Sequence, residues 1–406
     1  PMTGPVDAPE KRPSVMRASA WLFYTGFFCN GSTIADLTST NYSPLTSVDL
    51  PDGTTLTKQD VIGYIDDCVN NSGYKLVGDF RNLWAYTNKC TVKDYDYTKD
   101  AKDKDGNALK WVEDDENGNS NPDETERMFS IKFNKHANWN TGANGYNGIG
   151  YSNQYALHFG VRGGQDYANT FPFGQGWGAG PVAPNLVADW KSIEPNDPRL
   201  DATVQDWTKS TTYTKGGGDG FVQETDYYAK KWAPITAKKD DGSYVSNFEY
   251  AMFAGGWTSD TDNNMQLDNI RDLVLMRFAE VLLMQSELKE DVGGINEVRK
   301  RAGLSPIGAY SLQALQNERR WELACEGIRW NDLRRWHIAA AALDRQTNQP
   351  VYYNGQPSKN EAHNGGYAAR YNATAGFLKM PDNQVALGTV VQNEGWTDAN
   401  SEYQKW

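Results

Sequence analysis

The 406-residue sequence predicts a mostly α fold with long irregular loops and a few short strands. Apolar residues recur at helical spacing towards both ends of the chain, in Ser14–Asn30, in Lys58–Asn71 and again from Asp268 to Leu343. Between them lie Asn/Gly-rich and Gly/Pro-rich stretches too irregular for regular elements. Aromatic residues, with 14 Trp and 22 Tyr, are far too many for a disordered chain, although the mean hydropathy is −0.70. The surface is therefore wet and rich in rings, and such rings often stack on flat ligands, sugars included.

Taken in order, residues 1–13 (PMTGPVDAPEKRP) read as a linker-like start without a visible signal peptide, as in a mature or trimmed product. Ser14–Asn30 is apolar on most sides and predicts a buried helix capped by Ser14. Asn30–Thr57 is loop-like. Lys58–Asn71 places Val61, Ile65, Cys68 and Val69 on one face, with Thr57 as N-cap and Ser72-Gly73 as the stop. Tyr74–Lys89 reads as extended structure and a short helix, completing an N-terminal helical part at 14–98.

Residues 99–126 form an acidic, Asn/Gly-rich insertion, expected to be mobile surface. The 127–267 stretch is loop-rich. Within it, Arg127–Lys135 alternates like a strand, Phe171–Val182 (FPFGQGWGAGPV) predicts an ordered irregular loop, and Arg199–Trp207 and Tyr227–Trp232 predict short strands or turns. In 268–406 come a helix over Asp268–Lys289 capped by Asp268 or Asn269, a short helix over Ile295–Ala302 stopped by Gly303, and a pair over Ser311–Ala324 and Ile328–Leu343. The 377–406 tail is irregular with a short strand. These parts read as one domain.

A net charge of −12 disfavours partners that present phosphate backbones, so no nucleic acid is expected, and it disfavours a basic membrane-surface patch. Asn269–Met284 comes nearest to a membrane span but is interrupted by Arg271, Asp272, Arg277 and Glu280. Four cysteines without a CxxC pair read as buried free thiols or one incidental bridge. Catalytic signatures are missing: no His falls in HExxH, and neither GxSxG nor GxxxxGK[ST] occurs. With 52 acidic residues, candidate glycosidase carboxylate pairs can always be found, so they signify nothing. The Arg/Glu/Trp-laced block Glu318–Trp336 has acid and base partners at helical spacing. The favoured reading is a structural ion-pair network, with Trp321, Trp330 and Trp336 packing helices.

The C-terminal motifs, in order, are Met276-Arg277-Phe278-Ala279-Glu280, Ile295-Asn296-Glu297-Val298-Arg299 with Arg301-Ala302-Gly303-Leu304, Glu318-Arg319-Arg320 with Glu322-Leu323, Glu326-Gly327-Ile328-Arg329, and Asp332-Leu333-Arg334-Arg335-Trp336. Upstream stand Tyr74–Asn88, Glu126–Phe133, Gly150–Asn153, Phe171–Pro181 and Asp197–Arg199, and downstream Gln392–Trp396. This ordered set resembles the SusD/RagB family of outer-membrane nutrient-binding lipoproteins. The resemblance implies tetratricopeptide-like helix pairs as scaffold and loops on one face. It implies a glycan or, in some members, peptide ligand, no bond chemistry, and no cofactor. It further implies action as a lid on a SusC/RagA-type TonB-dependent transporter at the cell surface, with outer-membrane attachment through an N-terminal lipid-modified Cys. Family members carry that Cys and extra helices ahead of anything like Ser14–Asn30, and this chain does not contain them. Cys325 stands where an aromatic is common.

Loop aromatics are the best ligand candidates. Trp139, Tyr146 and Tyr151 sit in Asn/Gly-rich sequence with few neighbours to bury them. Trp177 is hemmed by glycines and is open between ligand contact and loop anchor, while Trp232 and Trp257 rank second. Asn144, Asn153, Arg162 and Asp166 stand nearby to read hydroxyls. Calcium is a possible cofactor: Asp115, Asn117, Asn119, Asp123 and Glu126 fall at calcium-loop positions one, three, five, nine and twelve. Ser120 at position six, where glycine is wanted, favours a solvated acidic insertion instead. Two further readings are a peptide-binding importer component and, with less support, a secreted glycosidase.

Overall fold

The computed structural model describes residues 11–113, 125–133, 153–162, 167–216, 223–246, 271–362 and 365–396. Helices pack along their lengths, and short sheets tie the connecting segments to them.

The Lys58–Asn71 helix forms where its local signals place it. Thr57 Oγ1 accepts from the Asp60 amide at 3.2 Å, and the Asp60 carboxylate accepts from the Thr57 amide at 2.9 Å, a reciprocal cap. Val61, Ile65 and Cys68 are buried on one face. That face meets Val15, Ala18, Trp21 and Leu22 of the Lys11–Phe27 helix and Val281, Leu282 and Leu288 of the Phe278–Lys289 helix. The first helix thus begins ahead of Ser14, so that Ser14 does not cap it. The 30–57 segment, expected to be a loop, contains the Ile34–Thr38 helix and a hairpin of Ser47–Asp49 with Thr55–Thr57.

Asp268–Lys289 is not one helix. Leu273–Arg277 is a strand paired antiparallel with Arg127–Ile131, and the helix begins at Phe278 with Arg277 at its N-cap. The apolar run Leu273–Met276 satisfies either period, and the ladder offered by Arg127–Ile131 decides it for strand. Ile328–Leu343 divides as well, into Arg329–Arg335 and Ala339–Asp344. Its break is His337, at φ +57°, whose ring nitrogens lie 2.6 Å from the Ser39 carbonyl and 3.0 Å from the Gly26 carbonyl. Arg199–Trp207 is a short helix to Thr203 followed by a strand pairing with Tyr227–Ala229. The tail carries a helix, Asp382–Ala386, where a strand was expected.

The Gly293–Arg301 helix crosses the preceding helix at Gly294, where an added Cβ would overlap the Leu282 carbonyl oxygen. Gly294→Ala should therefore destabilise the protein by about 2–3 kcal/mol, since a backbone carbonyl cannot step aside as a side-chain tip can. A urea midpoint equal to that of the unaltered protein would show that the two helices can separate freely.

A second core lies beneath the middle of the chain and is aromatic: Phe80, Trp84, Tyr86, Tyr95, Trp111, Phe173, Trp207, Tyr228 and Trp232. Trp111 belongs to the acidic insertion, yet it is buried with Leu109 and Val112, and its amide donates to the Thr87 carbonyl at 3.1 Å. The 99–113 part of the insertion is thus packed structure, because its apolar residues find a core. A third cluster stacks Trp190 on Trp321 with ring centroids 5.0 Å apart. Trp321 and Trp336 pack helices as expected, whereas Trp330 is exposed, set edge-on to Tyr371.

Candidate ligand-binding site

The residues richest in chemistry are not arranged for chemistry. Glu322, fully buried, accepts from Arg277 Nη1 at 3.0 Å, from Arg199 Nη1 at 3.0 Å and from Arg301 Nη2. Burial raises its carboxyl, but Arg301, Arg277, Arg199 and Lys231 overcome that and hold it well below the usual carboxylate range. Glu326 accepts from Arg277 Nε at 2.7 Å and Lys231 Nζ at 2.6 Å. Asp332 joins Arg319 at 2.8 Å to Arg335 at 2.9 Å. The Glu318–Trp336 block is an ion-pair lattice between helices, as its spacing predicts.

Phe171–Val182 is pinned against the short Gln154–Phe159 helix. Val161–Arg162 pairs in parallel with Gln175–Gly176, Trp177 N donates to the Leu157 carbonyl at 2.7 Å, and Gly178 N donates to the Gly160 carbonyl at 3.1 Å. The glycines permit this contact: a Cβ on Gly160 would press on Gly176 Cα at 2.5 Å. Gly178, at φ +63°, turns the chain so that Arg162 Nη1 donates to the Trp177 carbonyl at 2.6 Å. The outcome is a half-buried Trp177 indole held edge-on against the exposed His158 ring, centroids 5.1 Å apart, with half-buried Arg162 beside them.

Of the residues that sequence reasoning nominated, Trp177 and Arg162 are thus brought together. His158 was not nominated; it stands in helical sequence with no local sign that a ring 19 positions later would pack on it.

Three nominations are corrected. Trp232 is buried, its Nε1 donating to the Cys325 carbonyl at 2.9 Å and its ring edge-on to Trp84 and Tyr155, so it is core and not ligand surface. Asn153 is buried, and its carboxamide caps the Gln154–Phe159 helix and donates to the Arg271 carbonyl at 2.9 Å, so it holds backbone together beneath the surface and does not face a ligand. Glu126 is fully buried, accepting from Val77 N at 2.8 Å and Arg301 Nη1 at 3.0 Å and from Arg277, so it is an ion-pair partner and not a calcium-loop carboxylate. Trp139, Tyr146, Tyr151 and Trp257, and likewise Asn144, Asp166, Asp115, Asn117, Asn119 and Asp123, lie outside the described residues. Among the described residues, no group of three or more His, Cys, Asp or Glu is placed to hold a metal ion.

The described residues on either side of 134–152 both approach those that follow 247–270. Arg127–Ile131 pairs with Leu273–Arg277, and Asn153 reaches the Arg271 backbone.

A model of the SusD family matches residues 110–396, more than half of the chain. The chain belongs to the SusD family. Among the curated SusD-like proteins, P25 of Formosa agariphila is 35% identical over 109 residues, which is 23% of this chain and 20% of that protein. A solved laminarin binding SusD-like protein aligns over 95% of this chain and 62% of its own, at a TM-score of 0.57 and 18% identity. The surface glycan-binding protein A from Bacteroides fluxus aligns over 84% of this chain and 58% of its own, at a TM-score of 0.53 and 19% identity. At these identities the solved structures share the SusD fold with this chain, which spans less than two thirds of each relative. The family match includes the ion-pair lattice and the Trp177 loop, and Glu126, Arg277, Arg301 and Glu322 are all within it.

Proposed function

We propose that this SusD family chain forms part of a cell-surface glycan-binding protein. In this reading it captures oligosaccharide and passes it to a TonB-dependent outer-membrane transporter of the SusC/RagA type. The protein would be held at the membrane by an N-terminal lipid and would perform no bond chemistry and need no cofactor. No described helix is long and apolar enough to cross a membrane.

The observation that carries the reading is the family match over 110–396, joined to solved relatives named for laminarin and surface glycan binding. The site chemistry agrees. A half-buried indole on a pinned loop, with Arg162 and His158 beside it, is the kind of side-chain set that suits a sugar, whose C–H groups pack on rings and whose hydroxyls take hydrogen bonds. Trp139, Tyr146, Tyr151 and Trp257 are carried on sequence grounds alone as further candidates for the ligand face. The helices that pack side by side, Lys11–Phe27 with Lys58–Asn71 and Phe278–Lys289 with Gly293–Arg301, we read as the tetratricopeptide-like scaffold.

Trp177→Ala should weaken binding of the cognate glycan about tenfold, the worth of one stacked ring. It should leave the far-ultraviolet circular dichroism unchanged. Isothermal calorimetry on the two proteins checks this, and equal affinity would remove Trp177 from the ligand face.

A further inference from the structure

A cavity of about 380 Å³ lies between the second half of the Lys11–Phe27 helix, the 42–46 segment, the C-terminal end of the Phe278–Lys289 helix and Tyr310. That volume falls among small-ligand clefts, which run to about 300–1,000 Å³. On the core side its wall is Trp21, Leu22 and Leu288, all buried. Tyr42 and Tyr310, half-buried and packed against the same core, line it as well.

The charges around this cavity are matched. Lys58 Nζ lies 2.5 Å from Glu290 Oε1. The Glu287 carboxylate accepts from Arg335 Nη2 at 2.8 Å and from Trp336 Nε1 at 2.8 Å. Thr25 Oγ1 is spent on the Trp21 carbonyl at 2.7 Å, and Ser43 and Thr46 stand on exposed chain at the rim. The hydroxyls of Tyr42 and Tyr310 are left over. Neither hydrogen-bonds to a described residue, and neither is among the polar atoms sealed from solvent without a partner. The two rings are close enough to interact, since Tyr310 is one of the groups that act on Tyr42. Burial, and then the Glu287 carboxylate, push both hydroxyls up. Both therefore stay protonated at neutral pH, each with a proton to donate and lone pairs to accept.

We propose that this cavity binds a small uncharged molecule built on an aromatic ring with a hydroxyl or carbonyl group, its ring on the core-side wall and its polar group at Tyr42 and Tyr310. An ion would enter without a counter-charge, because Lys58, Glu287 and Glu290 are already paired. A sugar would press several hydroxyls on Trp21, Leu22 and Leu288, where nothing bonds them. A wholly apolar molecule would strip water from both tyrosine hydroxyls and return nothing. The cavity shares no residue with the His158, Arg162 and Trp177 surface, so this inference does not rest on the glycan reading.

The test is ligand-observed NMR and calorimetric titration with benzyl alcohol and benzamide. Benzoate and benzylammonium serve as charged counterparts, and methyl glucoside as the sugar arm. At least one neutral probe should bind saturably, with the charged counterparts and the glucoside at least tenfold weaker. Tyr42→Phe and Tyr310→Phe keep the rings and remove the hydroxyls. At least one of them should weaken binding of that probe about fivefold, the worth of one hydrogen bond. With no ligand added, both should melt like the unaltered protein, because neither hydroxyl has a partner to lose. Thr46→Trp, at the exposed rim, should block the probe, and Trp177→Ala should bind it normally. Failure of both neutral probes, equal binding of a charged counterpart or of the glucoside, or full affinity in both Phe variants would each overturn the proposal. So would full affinity in Thr46→Trp, which would put the probe elsewhere, or a marked fall in the melting temperature of both Phe variants, which would make the hydroxyls structural.

Discussion

Glu322→Gln should cost about 3–5 kcal/mol of stability, the usual consequence of removing one partner from a buried charge network. The carboxylate holds three guanidinium groups, Arg199, Arg277 and Arg301, and its backbone carbonyl accepts from Lys231 Nζ at 2.9 Å. Glutamine keeps the volume and one acceptor oxygen but withdraws the charge. Glu126, Glu318 and Asp197 then remain to balance the arginines, while Glu326 is shared between Arg277 and Lys231. A loss of this size is a large share of the stability of an ordinary domain. The sign of its pH dependence follows from the depressed carboxyl. The native state holds Glu322 ionised, so its contribution is full above the ordinary carboxylate range and is lost as the unfolded chain, and then the folded one, takes up a proton. Urea midpoints of the two proteins should therefore stay equally far apart from pH 7 to about pH 5 and converge only below about pH 4. Equal midpoints at pH 7 would mean that the lattice is not what holds these helices together.

Lys230→Met should stabilise the protein, and more so in mild acid than in alkali. Lys230 is buried, and burial lowers its amine to about 7, with Asp201 the one acid that pulls it upward. The ammonium lies over the Tyr97 ring at 4.1 Å and within 5.7 Å of the Tyr95 ring, which offsets part of the cost. The unfolded chain keeps this lysine protonated to about pH 10, whereas the folded chain releases the proton near pH 7. Between those values the unfolded state binds more protons, so the contribution of Lys230 becomes less unfavourable as pH rises, and below pH 7 the full penalty is felt. That penalty is on the order of 3–5 kcal/mol. Methionine fills similar space without charge. Melting temperatures at pH 6 and pH 9.5 should show a gain of several degrees at the lower pH and a much smaller one at the higher. Parallel melting profiles would show that Lys230 is charged and satisfied in the folded protein.

Such groups mark what a single sequence can and cannot disclose. The Lys58–Asn71 helix was legible to the residue because its cap, period and stop are all local. The lattice was legible as structure because its arginines and carboxylates recur at helical spacing, although its remote members, Glu126 and Arg199, were not. The Leu273–Arg277 strand was misread as helix because what makes it a strand is Arg127–Ile131, far away in sequence. Trp232 and Asn153 were misread for the same reason: their neighbours in sequence suggested exposure, while their partners, Cys325 and Arg271, are distant. The glycines of 171–182 announced an ordered loop, but not that Gly160 and Gly176 would touch and so carry Trp177 to His158 and Arg162.

Calorimetric titration of the unaltered chain with a panel of soluble polysaccharides, β-glucans such as laminarin included, and with a matched panel of peptides tests the central claim most directly. Saturable heat with one class of glycan is expected, with no heat from peptides and no change in the glycan's reducing ends after prolonged incubation. Heat with peptides alone, or release of new reducing ends, would contradict it.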